Sequence, residues 1–154
     1  MSRPSNPNGP SGDRTLCTER LFSASPQEIF AAFEEPRKLA GWWGPAGFTN
    51  TFETFEFKPG GRWTFMMHAP NGANYPNEIV FGEIQRNALI TIEHIVQPWF
   101  RLTIKLIPAG KQTRLTWAQQ FESAEVADRF RPLAATANEQ NLDRLEALLA
   151  SERP

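Results

Sequence analysis

The hydrophobic pattern of the central half of the chain is typical of β-strands. Apolar and polar residues alternate there, and turn residues such as Pro59-Gly60-Gly61 and Asn71-Gly72 separate the alternating segments. Because the connections are short, the strands are predicted to pair antiparallel. The predicted strands are Thr49–Phe57, Arg62–Ala69, Glu78–Gln85, Leu89–Ile95, Phe100–Ile107 and Thr113–Phe121.

The amino-terminal part combines one further strand with two short helices. The strand is predicted at Thr15–Ser23. The Ser25-Pro26 pair then predicts a helix start, because Ser is a good cap and Pro suits the first helical position. Pro36 ends this helix, and a second short helix is predicted at Arg37–Trp42.

A long helix is predicted at the carboxyl-terminal end, since the apolar spacing becomes helical from Ser123 to Ala150. Pro132 is expected to interrupt its hydrogen-bond ladder. The predicted architecture is an α+β fold in which a curved seven-stranded antiparallel sheet wraps around the long helix. Such an arrangement can enclose a cavity between sheet and helix. The apolar stripe after Pro132 is Leu133, Ala137, Asn141, Leu145, Leu148 and Leu149.

The length of 154 residues is that of one domain, which we assign to residues 15–150. Residues 1–14 are rich in Pro, Gly, Ser and Asn and lack the apolar segment of a secretory signal. They are interpreted as a disordered leader, because they hold too little apolar surface to offset the entropy lost on ordering.

Charge and cysteine content exclude several classes of protein. Sixteen basic and seventeen acidic residues give a net charge of −1, so no nucleic-acid partner is expected. No run approaches the roughly 18 apolar residues of a membrane span, so no membrane partner is expected either. Cys17 is the single cysteine, which predicts a reducing, cytoplasmic location. We expect it to be a buried small side chain rather than a nucleophile.

Four segments of the chain together resemble a known family. They are ERLFSASPQEIFAAF, PRKLAGWWGP, FEFKPGGRWTFMMHAPNG followed by YPNE, and NLDRLEALLA, and they span nearly all of residues 15–150. With the order of the predicted elements, they resemble the Bet v 1/START-like helix-grip superfamily. Within it, the chain is similar to the branch named after the activator of Hsp90 ATPase. The spacing of PGGRW and MHAPNG is the most specific part of this resemblance.

The resemblance implies a cavity between the sheet and the long helix. Relatives include binders of small hydrophobic molecules, self-resistance or transport proteins and cyclase-like enzymes. The eukaryotic activator also has a separate Hsp90-binding domain that precedes the part similar to this chain. Only fourteen residues precede the first predicted strand here, so Hsp90 is not an expected partner.

The inward faces of the predicted strands provide an aromatic wall, which suits a ligand cavity and a solid core equally. Gln119 is a polar residue on this wall, and it either orients a ligand or hydrogen bonds the long helix at Asn138 or Asn141. Tyr75 is placed in a loop, at the cavity mouth or packed on the fold. The candidate ligand-binding residues are Trp63, Phe65, Met67, Tyr75, Phe81, His94, Leu102, Ile104, Trp117, Gln119, Phe121, Asn141 and Leu145.

Two titratable residues are candidate acid–base groups. His94 lies on an apolar strand face and its residue type suits proton transfer, although a hydrogen-bonded histidine near a strand end fits the same pattern. Glu56 faces inward if a four-residue loop joins its hairpin. A bulge at the glycines places Phe55 and Phe57 inward instead. No metal-ligand, phosphate-loop or dinucleotide motif is present, so no metal and no cofactor are predicted.

Three functional hypotheses follow from these patterns. The first is binding of a small hydrophobic or aromatic molecule in the cavity. The second is a protein-interaction module, co-chaperone-like or homodimeric, based on the expected exposure of loop residues Trp42, Trp43, Phe48 and Trp99. The third is an enzyme of cyclase or hydrolase type, with His94 or Glu56 as the base.

Overall fold

The computed structural model describes residues 14–152. The predicted leader, residues 1–14, therefore lies outside the described residues except for its last member. Within the described range the chain forms three helices and seven strands. In chain order these are β1 (Thr15–Phe22), α1 (Pro26–Glu34), α2 (Pro36–Trp42), β2 (Thr49–Phe55), β3 (Arg62–His68), β4 (Asn74–Gln85), β5 (Leu89–His94), β6 (Phe100–Ala109), β7 (Gln112–Phe121) and α3 (Ala124–Ser151).

All seven strands join in one antiparallel sheet with the order β1-β7-β6-β5-β4-β3-β2. From β2 to β7 each strand pairs with the next along the chain, as short turns dictate. β1 and β2 lie at opposite edges of the sheet, so α1 and α2 together connect one edge to the other. The predicted α+β architecture is confirmed.

The amino-terminal ends of α1 and α3 are capped by serine side chains. At α1, Ser25 Oγ accepts from the backbone N–H of Glu28 at 3.1 Å, and Glu28 Oε1 accepts from the backbone N–H of Ser25 at 2.8 Å. This reciprocal pair is a capping box, and Pro26 follows at the first helical position. At α3, Ser123 Oγ accepts from the backbone N–H of Val126 at 3.2 Å.

α3 continues through Pro132 as one helix of 28 residues, or about 42 Å. The predicted interruption therefore costs a backbone donor without ending the helix. Leu133, which the sequence assigned to the buried stripe, is 72% exposed. It precedes the fully buried Leu142 by nine positions, which is two and a half turns, and so lies on the opposite side of the helix.

The core lies between the inner face of the sheet and the helices. α1 and α2 contribute Ile29, Phe30, Phe33, Leu39 and Trp42 to it. A smaller cluster at the start of α3 joins Leu16, Phe121 and Ala127. Burial on β6 and β7 alternates residue by residue, which is the expected pattern for strands with one buried face.

Candidate functional site

A cavity of about 170 Å³ lies between the sheet and the middle of α3. Its walls come from strands β3 to β7, from α3 and from the loop that follows α2. A cavity of about 150 Å³ is large enough to bind benzene in another protein. The space therefore suits a molecule with one ring.

Strand register explains why the inward residues of β6 and β7 meet at this cavity. Leu102 lies opposite Gln119, and both line it. Trp117, two residues before Gln119, points to the same face because strand side chains alternate with a period of two. Trp43 completes this wall from the loop after α2, with its ring centroid 5.9 Å from that of Trp117.

The loop after α2 is held against α3 by a single guanidinium group. Arg144 Nη1 donates to the carbonyl oxygens of Trp43, Gly44 and Pro45 at 3.0–3.1 Å, and Nη2 donates to that of Gly41 at 3.0 Å. Burial lowers the pKa of Arg144. Its hydrogen bonds satisfy one carbonyl group in the last turn of α2 and three in the residues that follow the helix.

Two asparagines hold the same loop from other directions. Asn141 Nδ2 donates to the carbonyl oxygen of Trp42 at 3.1 Å. Asn50 Nδ2 donates to the carbonyl oxygen of Trp43 at 2.9 Å. Gly44 lies so close to β3 that an added Cβ would come within 2.9 Å of Met67 Cε. The cavity wall is thus built on a loop that α3 and the start of the sheet fix in place.

His94 lines the cavity but both of its ring nitrogens are engaged. Nδ1 lies 2.8 Å from the carbonyl oxygen of Pro98, and Nε2 lies 2.6 Å from Asn77 Oδ1. Phe100 stacks on the imidazole with ring centroids 4.5 Å apart. Burial lowers the pKa of His94, which favours the neutral ring.

Gln119 hydrogen bonds the long helix, which is one of the two roles that the sequence left open, and that it orients a ligand stays a prediction. It lines the cavity, and its Oε1 accepts from Asn138 Nδ2 on α3 at 3.0 Å. The bond joins β7 to α3 at the cavity wall. The remaining lining is mostly apolar, and none of the described residues that line the cavity is an Asp, Glu, Lys or Arg.

The sequence matches one protein family over residues 23–150, the Activator of Hsp90 ATPase homolog 1-like proteins. The chain belongs to this family. No curated protein matches it. Family membership confirms the resemblance on which the predicted helix-grip fold was based.

Solved structures of bacterial proteins share the fold of this family member. A protein from Arthrobacter aurescens has a TM-score of 0.85 and 25% identity, and the match covers 92% of this chain and 88% of that one. A protein from Nitrosomonas europaea has a TM-score of 0.84 and 19% identity, covering 92% and 97%. A protein from Rhodobacter sphaeroides has a TM-score of 0.83 and 23% identity, covering 94% and 97%.

Seven of the thirteen candidate ligand-binding residues line the cavity of this family member. Their side chains come from five elements that are distant in sequence. That they bind a ligand stays a prediction. They are Phe65, Met67, His94, Leu102, Trp117, Gln119 and Asn141.

The other six candidates lie outside the cavity lining. Trp63, Phe81, Ile104 and Leu145 are fully buried in the main core, where they fill space that the sequence could not distinguish from a cavity. Phe121 belongs to the smaller cluster at the start of α3. Tyr75 is 50% exposed, and its ring centroid lies 6.4 Å from that of Phe48.

Glu56 does not face the cavity. Phe55 lies opposite Trp63, which is the second of the two registers considered for this hairpin. This register requires a glycine at position 61, because the Cβ of any other residue would lie 2.0 Å from the carbonyl oxygen of Glu56. Glu56 is exposed, and its Oε1 accepts from the backbone N–H of Arg62 at 3.0 Å. A role for it as a base inside the cavity is wrong.

Sequence reasoning missed two groups of cavity residues. Trp43 was expected to be exposed, and only the contacts with α3 show that it forms a cavity wall together with Gly44 and Pro45. Asn77 lies just before the predicted strand Glu78–Gln85, but β4 begins at Asn74 and so includes Asn77. Other missed lining residues are Ile79, Phe100, Ala137 and Asn138.

The expected exposure of four loop aromatics is wrong for two of them. Trp42 is 1% and Trp43 is 7% exposed, because the hydrogen bonds from α3 hold this loop over the core. Phe48 and Trp99 are half-buried. Trp42 and Trp43 therefore give no support to a protein-interaction surface.

The expectation that Cys17 is buried is also wrong. It is exposed, because it alternates on β1 with the buried Leu16 and so faces away from the core. Partial burial raises the pKa of its thiol, which lowers its reactivity. Among residues 14–152, no cluster of three or more His, Cys, Asp or Glu side chains is arranged to hold a metal ion. No helix in that range is both long and apolar enough to cross a membrane.

Proposed function

We propose that the protein binds a small, uncharged molecule with a single ring in the cavity between its sheet and α3. The observation that carries this proposal is the cavity itself, about 170 Å³ with a mainly aromatic and aliphatic lining and a few polar side chains. Concave apolar sites with few polar groups are typical ligand sites. Membership of a family with the helix-grip fold supports the same function.

The volume limits the size of the molecule. Drug-sized ligands generally occupy pockets of about 300 to 1,000 Å³. The cavity is closer to the roughly 150 Å³ that accommodates benzene. A sterol or a long acyl chain would extend beyond it, so we expect a one-ring ligand or the ring of a larger one.

The lining disfavours a charged molecule. The one titratable side chain among the described lining residues is His94, and burial lowers its pKa so that it is neutral at pH 7. Arg144 lies behind the loop and directs its donors to backbone carbonyls. A carboxylate or ammonium group in the cavity would lose its hydration without gaining a counterion.

The alternative functions have weaker support. An acid–base enzyme needs a titratable group directed at its substrate, whereas His94 has both nitrogens engaged and Glu56 is exposed. An interaction surface built on Trp42 and Trp43 is not available, since both are buried. Formation of a homodimer stays a prediction.

A cavity-filling variant tests the proposal. Ala137 lines the cavity from α3, and Ala137→Phe would place a ring in the space that the ligand needs. The control is Ala135→Phe, which adds the same side chain at an exposed position of the same helix. Binding of toluene, phenol and anisole is measured by tryptophan fluorescence, because Trp43 and Trp117 line the cavity.

We expect saturable binding of at least one of these compounds to the native protein and to Ala135→Phe, with loss of binding in Ala137→Phe. Both variants should keep the native circular dichroism spectrum. Binding that survives in Ala137→Phe would place the ligand elsewhere. Absence of binding of all three compounds to the native protein would contradict the proposal.

A further inference from the structure

Three residues of the cavity lining have a polar side-chain atom without a hydrogen-bond partner among residues 14–152, namely Trp117 Nε1, Gln119 Nε2 and Asn141 Oδ1. Gln119 and Asn141 are 8% and 6% exposed, so each is more than nine-tenths buried. Both line the cavity. Buried polar groups are nearly always hydrogen bonded, so an uncommitted donor or acceptor at a cavity wall indicates a ligand group that completes it.

Asn141 presents an acceptor. Its Nδ2 donates to the carbonyl oxygen of Trp42 at 3.1 Å. A carbonyl oxygen only accepts, so this bond fixes which end of the amide faces Trp42. Within residues 14–152 no protein group donates to the other end, Asn141 Oδ1. This oxygen can accept a hydrogen bond from a ligand.

Gln119 presents a donor. Its Oε1 accepts from Asn138 Nδ2 at 3.0 Å, which fixes the side chain against α3. Across the described part of the chain, Gln119 Nε2 has no acceptor. A primary amide nitrogen carries two hydrogens, and both are available here for a ligand oxygen.

We infer that the cavity is specific for neutral aromatic carboxamides or lactams, molecules that carry a carbonyl oxygen and an N–H next to one ring. This inference rests on the proposed function. The ligand carbonyl would accept from Gln119 Nε2, and the ligand N–H would donate to Asn141 Oδ1. The ring would lie against Trp43, Trp117 and Leu102.

Charge distinguishes aromatic carboxamides from aromatic carboxylates, which are the ligands most similar to them in shape. An aromatic carboxylate has the same shape as the corresponding carboxamide, but it lacks the N–H and carries a negative charge. Asn141 Oδ1 would then face a carboxylate oxygen, and no cationic side chain lies among the described lining residues. Carboxylates are therefore excluded by repulsion and by lost hydration.

Four ligands of similar size test the inference with the full-length protein at pH 8. Benzamide has both hydrogen-bonding groups, acetophenone has only the acceptor, toluene has neither, and benzoate is charged. We expect benzamide to bind about tenfold more tightly than toluene, since two net hydrogen bonds of modest strength suffice for that ratio. Acetophenone should fall between them, and benzoate should bind most weakly.

Gln119→Met removes the donor while keeping the length of the side chain. We expect this variant to lose most of the preference for benzamide, measured as the ratio of the dissociation constants of toluene and benzamide for the same variant. The matched control is Gln120→Met, the same substitution one residue further along β7. Gln120 lies outside the cavity lining and pairs with Arg101 on β6. This control should keep the native preference.

The outcomes separate the inference from the proposed function. If toluene binds as tightly as benzamide, the inference is overturned while the function stands. A preference for benzamide that persists in Gln119→Met also overturns it, because the donor would not be the cause. If benzamide does not bind while another one-ring compound such as phenol does, the inference alone is overturned, and if no one-ring compound binds, both the inference and the proposed function are overturned.

Discussion

Arg144 on α3 donates a hydrogen bond to the carbonyl oxygen of Trp43 at 3.1 Å, and so ties the cavity wall to a helix 101 residues further along the chain. The same guanidinium bonds the carbonyl oxygens of Gly41, Gly44 and Pro45. Trp43 in turn contacts Trp63 and Trp117 with ring centroids 5.1 and 5.9 Å away. A residue outside the cavity therefore determines its shape.

Arg144→Met should destabilise the protein and weaken ligand binding. The variant keeps the aliphatic part of the side chain but leaves the carbonyl oxygens of Gly41 and Gly44 without a donor among the described residues, whereas those of Trp43 and Pro45 keep Asn50 Nδ2 and the backbone N–H of Phe48. Losing hydrogen bonds to a charged group costs about 2 kcal/mol in the free energy of unfolding, which urea titration measures. Arg144→Lys keeps the charge but not the forked geometry of the guanidinium group. Its free energy of unfolding should therefore lie between those of the native protein and of Arg144→Met. A loss below about 0.5 kcal/mol in Arg144→Met would show that other contacts hold the loop.

Gly44→Ala should destabilise the protein through its backbone. Gly44 has φ +103°, a conformation that residues with a Cβ rarely adopt, and the new Cβ would meet Met67 Cε at 2.9 Å. Met67 is flexible and can move, so we attribute most of the expected loss of about 1 to 3 kcal/mol to backbone strain. Gly41→Ala is the control. Gly41 lies in α2 with no atom within 4 Å of an added Cβ, and the variant should be neutral or stabilising. Equal stability of the two variants in thermal unfolding would contradict this account.

His94 should make the protein less stable as the pH falls below 6.5. Burial lowers its pKa in the folded state from the ordinary value of 6.5. As the pH decreases, the unfolded chain therefore takes up the proton first, and the unfolded state is favoured. Stability is lost from about pH 6.5 down to the folded pKa, below which the loss stays constant. The measurement is the free energy of unfolding of the native protein and of His94→Gln between pH 8 and pH 5. If both lose stability in parallel, His94 is not the cause.

Pro132→Ala should stabilise the protein. Pro132 lies exposed inside α3, where it removes a backbone donor, and alanine would restore the bond at this position. The gain in the free energy of unfolding is expected to be about 1 to 3 kcal/mol. Pro36→Ala is the matched control, because Pro36 is the first residue of α2, where proline is tolerated. A larger gain at Pro36 than at Pro132 would be the opposite of this expectation.

The fold followed from local patterns. The alternation from Phe100 to Leu106 predicts β6 and its buried face, and Ser25-Pro26 predicts the start of α1. These signals lie within a few residues of the element that they specify. At Asn77 the local sequence pattern failed to predict the strand that the structure contains. From Asn74 to Glu78, β4 pairs only with β3, so this end lies at an edge where Pro76 is tolerated, and the sequence there resembles a loop.

The candidate site was harder to predict because it depends on contacts between distant residues. A tryptophan pair in a Gly- and Pro-rich loop resembles an exposed patch until Arg144 and Asn141 are placed against it. Trp63 and Trp117 have the same strand pattern, yet only Trp117 lines the cavity. Which inward residue fills the core and which borders a space depends on how α3 crosses the sheet. The spacing of residues along one strand does not show whether an inward side chain fills the core or lines the cavity.

Ligand binding in the cavity can be seen directly in a crystal structure of the protein soaked with bromobenzene, whose bromine gives an anomalous signal. We expect a bromine peak inside the cavity, with the ring between Trp43, Trp117 and Leu102. The same soak of Ala137→Phe should show no peak there. A native protein whose own side chains fill this space, or a peak found only at other sites, would contradict the account.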